Sequence, residues 1–276
     1  MRKFVNFSIL TVSFALLLSS CGNEAVVIED NISDSTAIDI NEEPIVKIYQ
    51  KYKFPSPLEI FVVLKDDGVK FNSSFLNDLE RVNTYTTTSK LAIGMGIYSA
   101  DLSYCSMYEK SQLTMNYFAA NKSLADKLGL SSGFDKGLMD RIDKNINNAD
   151  SLIKLTSNSY SQAVSFLEEQ GQTKILPYII FGEWIESAYI TVNLTKKYSA
   201  DDIGVNIISE QSLLFENIYD YFNKANIKES NEALYNDVEA LYTLYIELYN
   251  NETEDITEEQ FNNIKAKITE IRNNWI

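Results

Sequence analysis

LAIGMGIYSADLSYCSMY, residues 91–108, carries a single charge, Asp101. Leu91, Met95, Tyr98, Leu102 and Cys105 recur at three- and four-residue spacing, the repeat of one helix face. Gly94, Ala100 and Ser103 are small enough to let neighbouring helices come close. A second stretch, ILPYIIFGEWIESAYITVNLT at 175–195, has only Glu183 and Glu186 charged, and Ile180, Phe181, Trp184, Ile185, Ala188 and Val192 share one broad arc. Helices this poor in charge belong in the middle of a bundle, surrounded by others.

Outward from these two, the apolar spacing stays helical. It predicts a short helix opened by Ser56-Pro57-Leu58-Glu59 and reaching about Lys65, with Ser56 as cap and Pro57 in the first turn. Further helices are expected over 73–80, 84–108, 110–128 (stopped by Gly129), 136–147, 149–170 (stopped by Gly171), 174–197, 203–225, 231–249 and 257–274. The last opens on Thr257-Glu258-Glu259-Gln260, the pattern of a capping box. No segment alternates with a period of two between hairpin turns, so the class is all-α. Short connectors make consecutive helices antiparallel, a multi-helix bundle in which hairpins could stack without a repeated consensus.

The N-terminus is of another kind. Met1-Arg2-Lys3 is followed by a charge-free run from Phe4 to Leu18, the layout of an export signal and too short to span a bilayer comfortably. Leu18-Ser19-Ser20-Cys21 then resembles the lipobox of bacterial lipoproteins. The resemblance implies cleavage before Cys21 and acylation of that residue, and several acyl chains anchor durably where one does not. Gly22 and Asn23 follow, with no aspartate to imitate the inner-membrane retention signal, so the resemblance implies an outer-membrane destination. Between Cys21 and Lys47 every charge is negative and no residue is aromatic. That composition reads as a solvated tether over 21–45 with a reach of roughly 25 Å, leaving 46–276 as one helical domain.

Composition excludes several functions. Without residues 1–20 the chain has 22 basic against 39 acidic residues, a formal charge of −17, which disfavours a nucleic-acid partner. Cys105 is the only thiol left once Cys21 is acylated, so no intramolecular disulfide forms. There is no histidine, which removes serine triads, cysteine–histidine pairs and the common zinc and di-iron motifs. No phosphate-binding glycine loop is present, and no cofactor is implied.

Asp101 is the most informative residue. It falls inside an apolar arc, between Tyr98 and Cys105 on one side and Ile97, Tyr104 and Tyr108 on the other. A carboxyl group there either finds donors or stays protonated. Two roles follow: a structural acid held by a tyrosine hydroxyl, a helix N-terminus, Arg81 or Arg141, or a ligand-facing acid in a pocket between helices. Glu183 and Glu186, one turn apart with Asn193 beyond them, make a polar stripe whose simplest use is a solvated edge. Were the stripe to face Asp101, three carboxylates would converge in a site suited to Ca²⁺ or Mg²⁺, or to hydrolytic acid–base chemistry. Tyr235, Tyr242, Tyr245 and Tyr249 share one helix face, chiefly for packing, or as an aromatic wall for a sugar or protein.

Gly96-Ile97-Tyr98-Ser99-Ala100-Asp101-Leu102-Ser103-Tyr104, Asp150-Ser151-Leu152 and Gly182-Glu183-Trp184-Ile185-Glu186 resemble segments of helical lipoproteins typical of Bacteroidetes. The resemblance implies location and lineage and attaches no catalytic residue. The expectation is a lipid-anchored envelope protein that binds a partner protein or small ligand without catalysis. The alternative is a carboxylate-based hydrolase or divalent-cation-binding protein using Asp101 with Glu183 or Glu186.

Overall fold

The computed structural model describes residues 57–130, 173–251 and 255–276, with isolated positions between 131 and 172. The signal, Cys21, the tether, the Ser56 cap and the helices expected at 136–147 and 149–170 lie outside the described residues, apart from those isolated positions. What is described is all-α, a bundle of packed helices with no strand.

Helix α1 covers Pro57–Asp66, and α2 (Thr88–Met107) and α3 (Ser111–Lys127) form a hairpin. Then come α4 (Leu176–Leu194), α5 (Ile203–Lys224), a single turn α6 (Ile227–Ser230), α7 (Glu232–Ile246) and α8 (Glu258–Trp275). Local chemistry accounts for the ends. Thr87, Asp202, Asn231 and Thr257 each accept a hydrogen bond from the first turn of the helix they cap. At Thr257 the capping box closes, with the Gln260 amide nitrogen donating to Thr257 Oγ1 at 3.2 Å and Thr257 N to Gln260 Oε1 at 3.0 Å. Helix α3 stops where Gly129 takes φ +77° and Leu130 N bonds back to Ala125 O. None of the described helices is long and apolar enough to cross a membrane.

The helix expected over 73–80 is not formed. Two 3₁₀ turns, Ser73–Phe75 and Leu79–Asn83, flank extended backbone at Leu76 and Asp78. Asn72 and Asp78 cause the break, because each side chain accepts from the backbone two residues on, at 3.0 Å, and so offers a turn in place of a helix.

Helices α2 and α4 are the centre, as their lack of charge predicts; α2 packs more extensively on α4 than on any other helix. The residues at the closest approach are Gly96 and Gly182. A Cβ on Gly96 would lie 2.1 Å from Ile179 O, and one on Gly182 would lie 2.2 Å from Ile93 O, so the two backbones touch. Gly94 has a different neighbour, the ring of Tyr85. Around this pair, α3 covers α2, α5 and α8 cover α4, and α7 joins α5 to α8. Two lysines bond carbonyls in the last turns of the central helices: Lys65 Nζ donates to Met107 O at 2.8 Å and Lys265 Nζ to Val192 O at 2.6 Å.

Candidate functional site

Asp101 projects from the middle of α2 and has no exposed surface. Its donors come from the extended segment that replaced the expected helix. Asn77 N and Nδ2 donate to Asp101 Oδ2 at 3.1 and 2.8 Å. Asn77 Oδ1 accepts from Arg272 Nη2 at 2.8 Å, and its carbonyl accepts from the Tyr117 phenol. Every polar atom of this 4% exposed asparagine is thus engaged, by α2, α3 and α8 at once. The same segment is tied to α2 a turn either side, by Tyr98 OH to Asp78 O and by Asn72 N to Tyr104 OH.

Arg272 carries the network to α4. Its Nε donates to Glu186 Oε2 at 2.9 Å and its Nη2 to Glu186 Oε1 at 3.2 Å, a two-pronged contact, while the guanidinium lies 4.1 Å from the Tyr189 ring centroid. Glu186 is fully buried. The solvated edge expected of Glu183 and Glu186 is therefore not observed: Glu183 is 8% exposed and Glu186 0%. A partner 86 residues away in the chain makes a buried charge tolerable at Glu186. Neither Arg81 nor Arg141 holds Asp101. The cation nearest to it in this network is Arg272, one hydrogen bond removed through Asn77.

One guanidinium thus serves two buried carboxyl groups. Burial pushes the Asp101 carboxyl well above the usual carboxylate range and the Glu186 charge pushes the same way, against smaller pulls from Asn77 and Arg272. Burial also raises Glu186, while Arg272 pulls it back by charge and hydrogen bonding. For Arg272 burial acts downward and is outweighed by Glu186, so the guanidinium stays charged. Glu186, with both oxygens on Arg272, is the charged member. Asp101 Oδ1 is buried with no hydrogen-bond partner. Tyr85 is raised to about 12 by burial and next by Glu186.

The structure brings Asp101 and Glu186 into one closed network, and Glu183 lies buried one turn before Glu186 on the same helix. Among the described residues no three acidic or cysteine side chains gather closely enough to hold a metal ion. Asn193 donates to the Tyr189 carbonyl one turn back at 2.8 Å and takes no part. Cys105 is buried, and burial raises its thiol far from ionisation. The four tyrosines divide: Tyr235 and Tyr245 are buried, Tyr242 stacks on Tyr219 with centroids 4.1 Å apart, and Tyr249 lies beyond α7, 56% exposed. Asn77 and Arg272 were not singled out in the sequence. An asparagine in an apolar turn and an arginine on an amphipathic helix carry no local mark of a long-range partner.

Comparison with known proteins adds no family: no family model matches the chain, and neither a curated protein nor a solved structure matches it.

Proposed function

We propose that this chain is a lipid-anchored helical protein of the cell envelope, acylated at Cys21 and destined for the outer membrane, that binds a partner protein or small ligand without catalysing a reaction. The observation that carries the non-catalytic half is the closure of its central acids. Acid–base hydrolysis uses carboxyl groups that reach a substrate, whereas Asp101 and Glu186 are 0% exposed and held by Asn77 and Arg272. The anchoring half rests on Leu18-Ser19-Ser20-Cys21 after a charge-free run.

Metabolic labelling with a palmitate analogue, followed by membrane fractionation, tests the reading. The wild-type chain should be labelled and membrane-bound, and Cys21→Ala should give an unlabelled precursor. A wild-type chain that is exported, unlabelled and freely soluble refutes it.

A further inference from the structure

We infer that Asp101 holds a proton in the folded protein at neutral pH, and that this proton latches the Asn77 segment over α2, so that the segment loosens when alkali removes it. The geometry carries this beyond the envelope-binding reading and independently of it. Both oxygens of Glu186 are bonded to the Arg272 guanidinium, and Asp101 reaches that cation only through Asn77. Asp101 Oδ2 takes both Asn77 donors, which leaves Oδ1 as the oxygen that bears the hydrogen. A neutral hydroxyl without an acceptor in such a wall costs far less than an anionic oxygen without a donor.

The surrounding groups agree. On the segment itself are Arg81, Asp78 and Tyr85; the Arg81 charge acts on Tyr85 and Tyr98, and Asp78 acts on Tyr98. From α2 come Tyr98 and Cys105, and from α3 Tyr117, all three raised first by burial, so they remain neutral. From α4 come Glu186, Glu183 and Tyr189, and from α8 Arg272. Among the described residues Arg272 is the cation hydrogen-bonded to Asn77 and Glu186, and Glu186 balances it. Ionising Asp101 adds an unmatched negative charge, and water reaches it most directly if the Asn77 segment lifts. That segment has no α-helix to hold its shape and depends on side-chain bonds to α2, α3 and α8.

The sign is fixed by linkage. The closed state binds a proton that the opened, wetted Asp101 releases above about pH 4, so opening increases by up to about tenfold per pH unit until the closed state also loses it.

The full chain in detergent is examined by infrared spectroscopy and by hydrogen exchange of the Asn77 and Arg81 amides, corrected for intrinsic base catalysis. Wild type should show the carbonyl band of a protonated acid at neutral pH, recognised by its shift in D₂O, which the ester carbonyls of the lipid anchor do not share. Asp101→Asn should remove that band and make opening of the segment independent of pH. Glu186→Gln should also remove the band, because Asp101 then becomes the counter-ion of Arg272. No such band in wild type, or an undiminished one in Asp101→Asn, overturns the inference. So does wild-type exchange with the same pH dependence as Asp101→Asn. If Asp101→Asn does not fold, the Glu186→Gln spectrum decides, and a persisting band there refutes the proposal.

Discussion

Replacing Gly96 by alanine tests the central packing, because two known effects oppose each other. In a helix interior alanine is favoured over glycine by about 1 kcal/mol, so propensity alone predicts a more stable protein. The structure predicts the reverse. The added Cβ would sit 2.1 Å from Ile179 O and 2.7 Å from Glu183 N, against an ordinary contact of about 3.5 Å. Both obstacles are backbone, which cannot turn aside as a side chain can. Relief needs the Cβ and Ile179 O to part by about 1.4 Å, and even a gap of about 1 Å between α2 and α4 forfeits about a quarter to a half of the dispersion attraction across it. Overpacking of a core commonly costs about 1–3 kcal/mol, and a rigid obstacle lies at or beyond the top of that range. Net of propensity, Gly96→Ala should destabilise by about 2–4 kcal/mol, and Gly182→Ala, aimed at Ile93 O, by a similar amount. Gly94→Ala is the internal comparison, since the nearest atoms to its Cβ would be Tyr85 ring carbons at 3.1–3.2 Å, a side chain rather than backbone, and its cost should be smaller. Urea titration followed by far-ultraviolet circular dichroism reads all three as changes in midpoint. A Gly96→Ala protein as stable as wild type, or more so, would refute the backbone contact between α2 and α4.

Three further substitutions probe the polar centre and the last helix. Arg272→Met should destabilise by about 3–5 kcal/mol by stranding Glu186, and Arg272→Met with Glu186→Leu should recover much of the loss in the same titration; additive losses would show that the pair is not coupled. Asn77→Ala removes a donor to Asp101 and an acceptor from Arg272 and should cost about 2–4 kcal/mol in chemical denaturation, with a loss under 1 kcal/mol counting against the network. Thr257→Ala should cost about 1 kcal/mol and speed amide exchange in the first turn of α8, with Gln260 N affected most.

Local rules made much of the fold legible. A threonine three residues before a glutamine marked the start of α8, a glycine after an apolar run marked the end of α3, and near-absence of charge marked α2 and α4 as central. These signals act over one turn of chain, so sequence spacing suffices to read them. The break at 73–80 is also local in origin, but apolar spacing at Phe75, Leu76 and Leu79 masked it. The side chains of Asn72 and Asp78 compete with the helix for backbone donors, and periodicity does not register that competition.

The polar centre was half legible, for a physical reason. An acid on an apolar helix face announces that something must compensate it, and Asp101 was found on that ground. What compensates it is a matter of tertiary geometry. Asn77 and Arg272 are 195 residues apart, and neither position differs in local pattern from an ordinary turn asparagine or a surface arginine. Glu183 and Glu186 show the same limit from the other side. Spacing by three on one helix face is equally consistent with a wet edge and with a buried pair, and only the arrival of α8 over α4 decides which. That dependence has a consequence for folding. Until α8 docks, Glu186 has no guanidinium and Asn77 Oδ1 lacks the donor it has in the native state. The centre of this bundle is therefore completed by α8, and Arg272→Met should slow refolding monitored by tryptophan fluorescence in a Trp184→Phe background, where Trp275 on α8 is the remaining tryptophan. An unchanged rate would place α8 docking outside the steps that Arg272 controls.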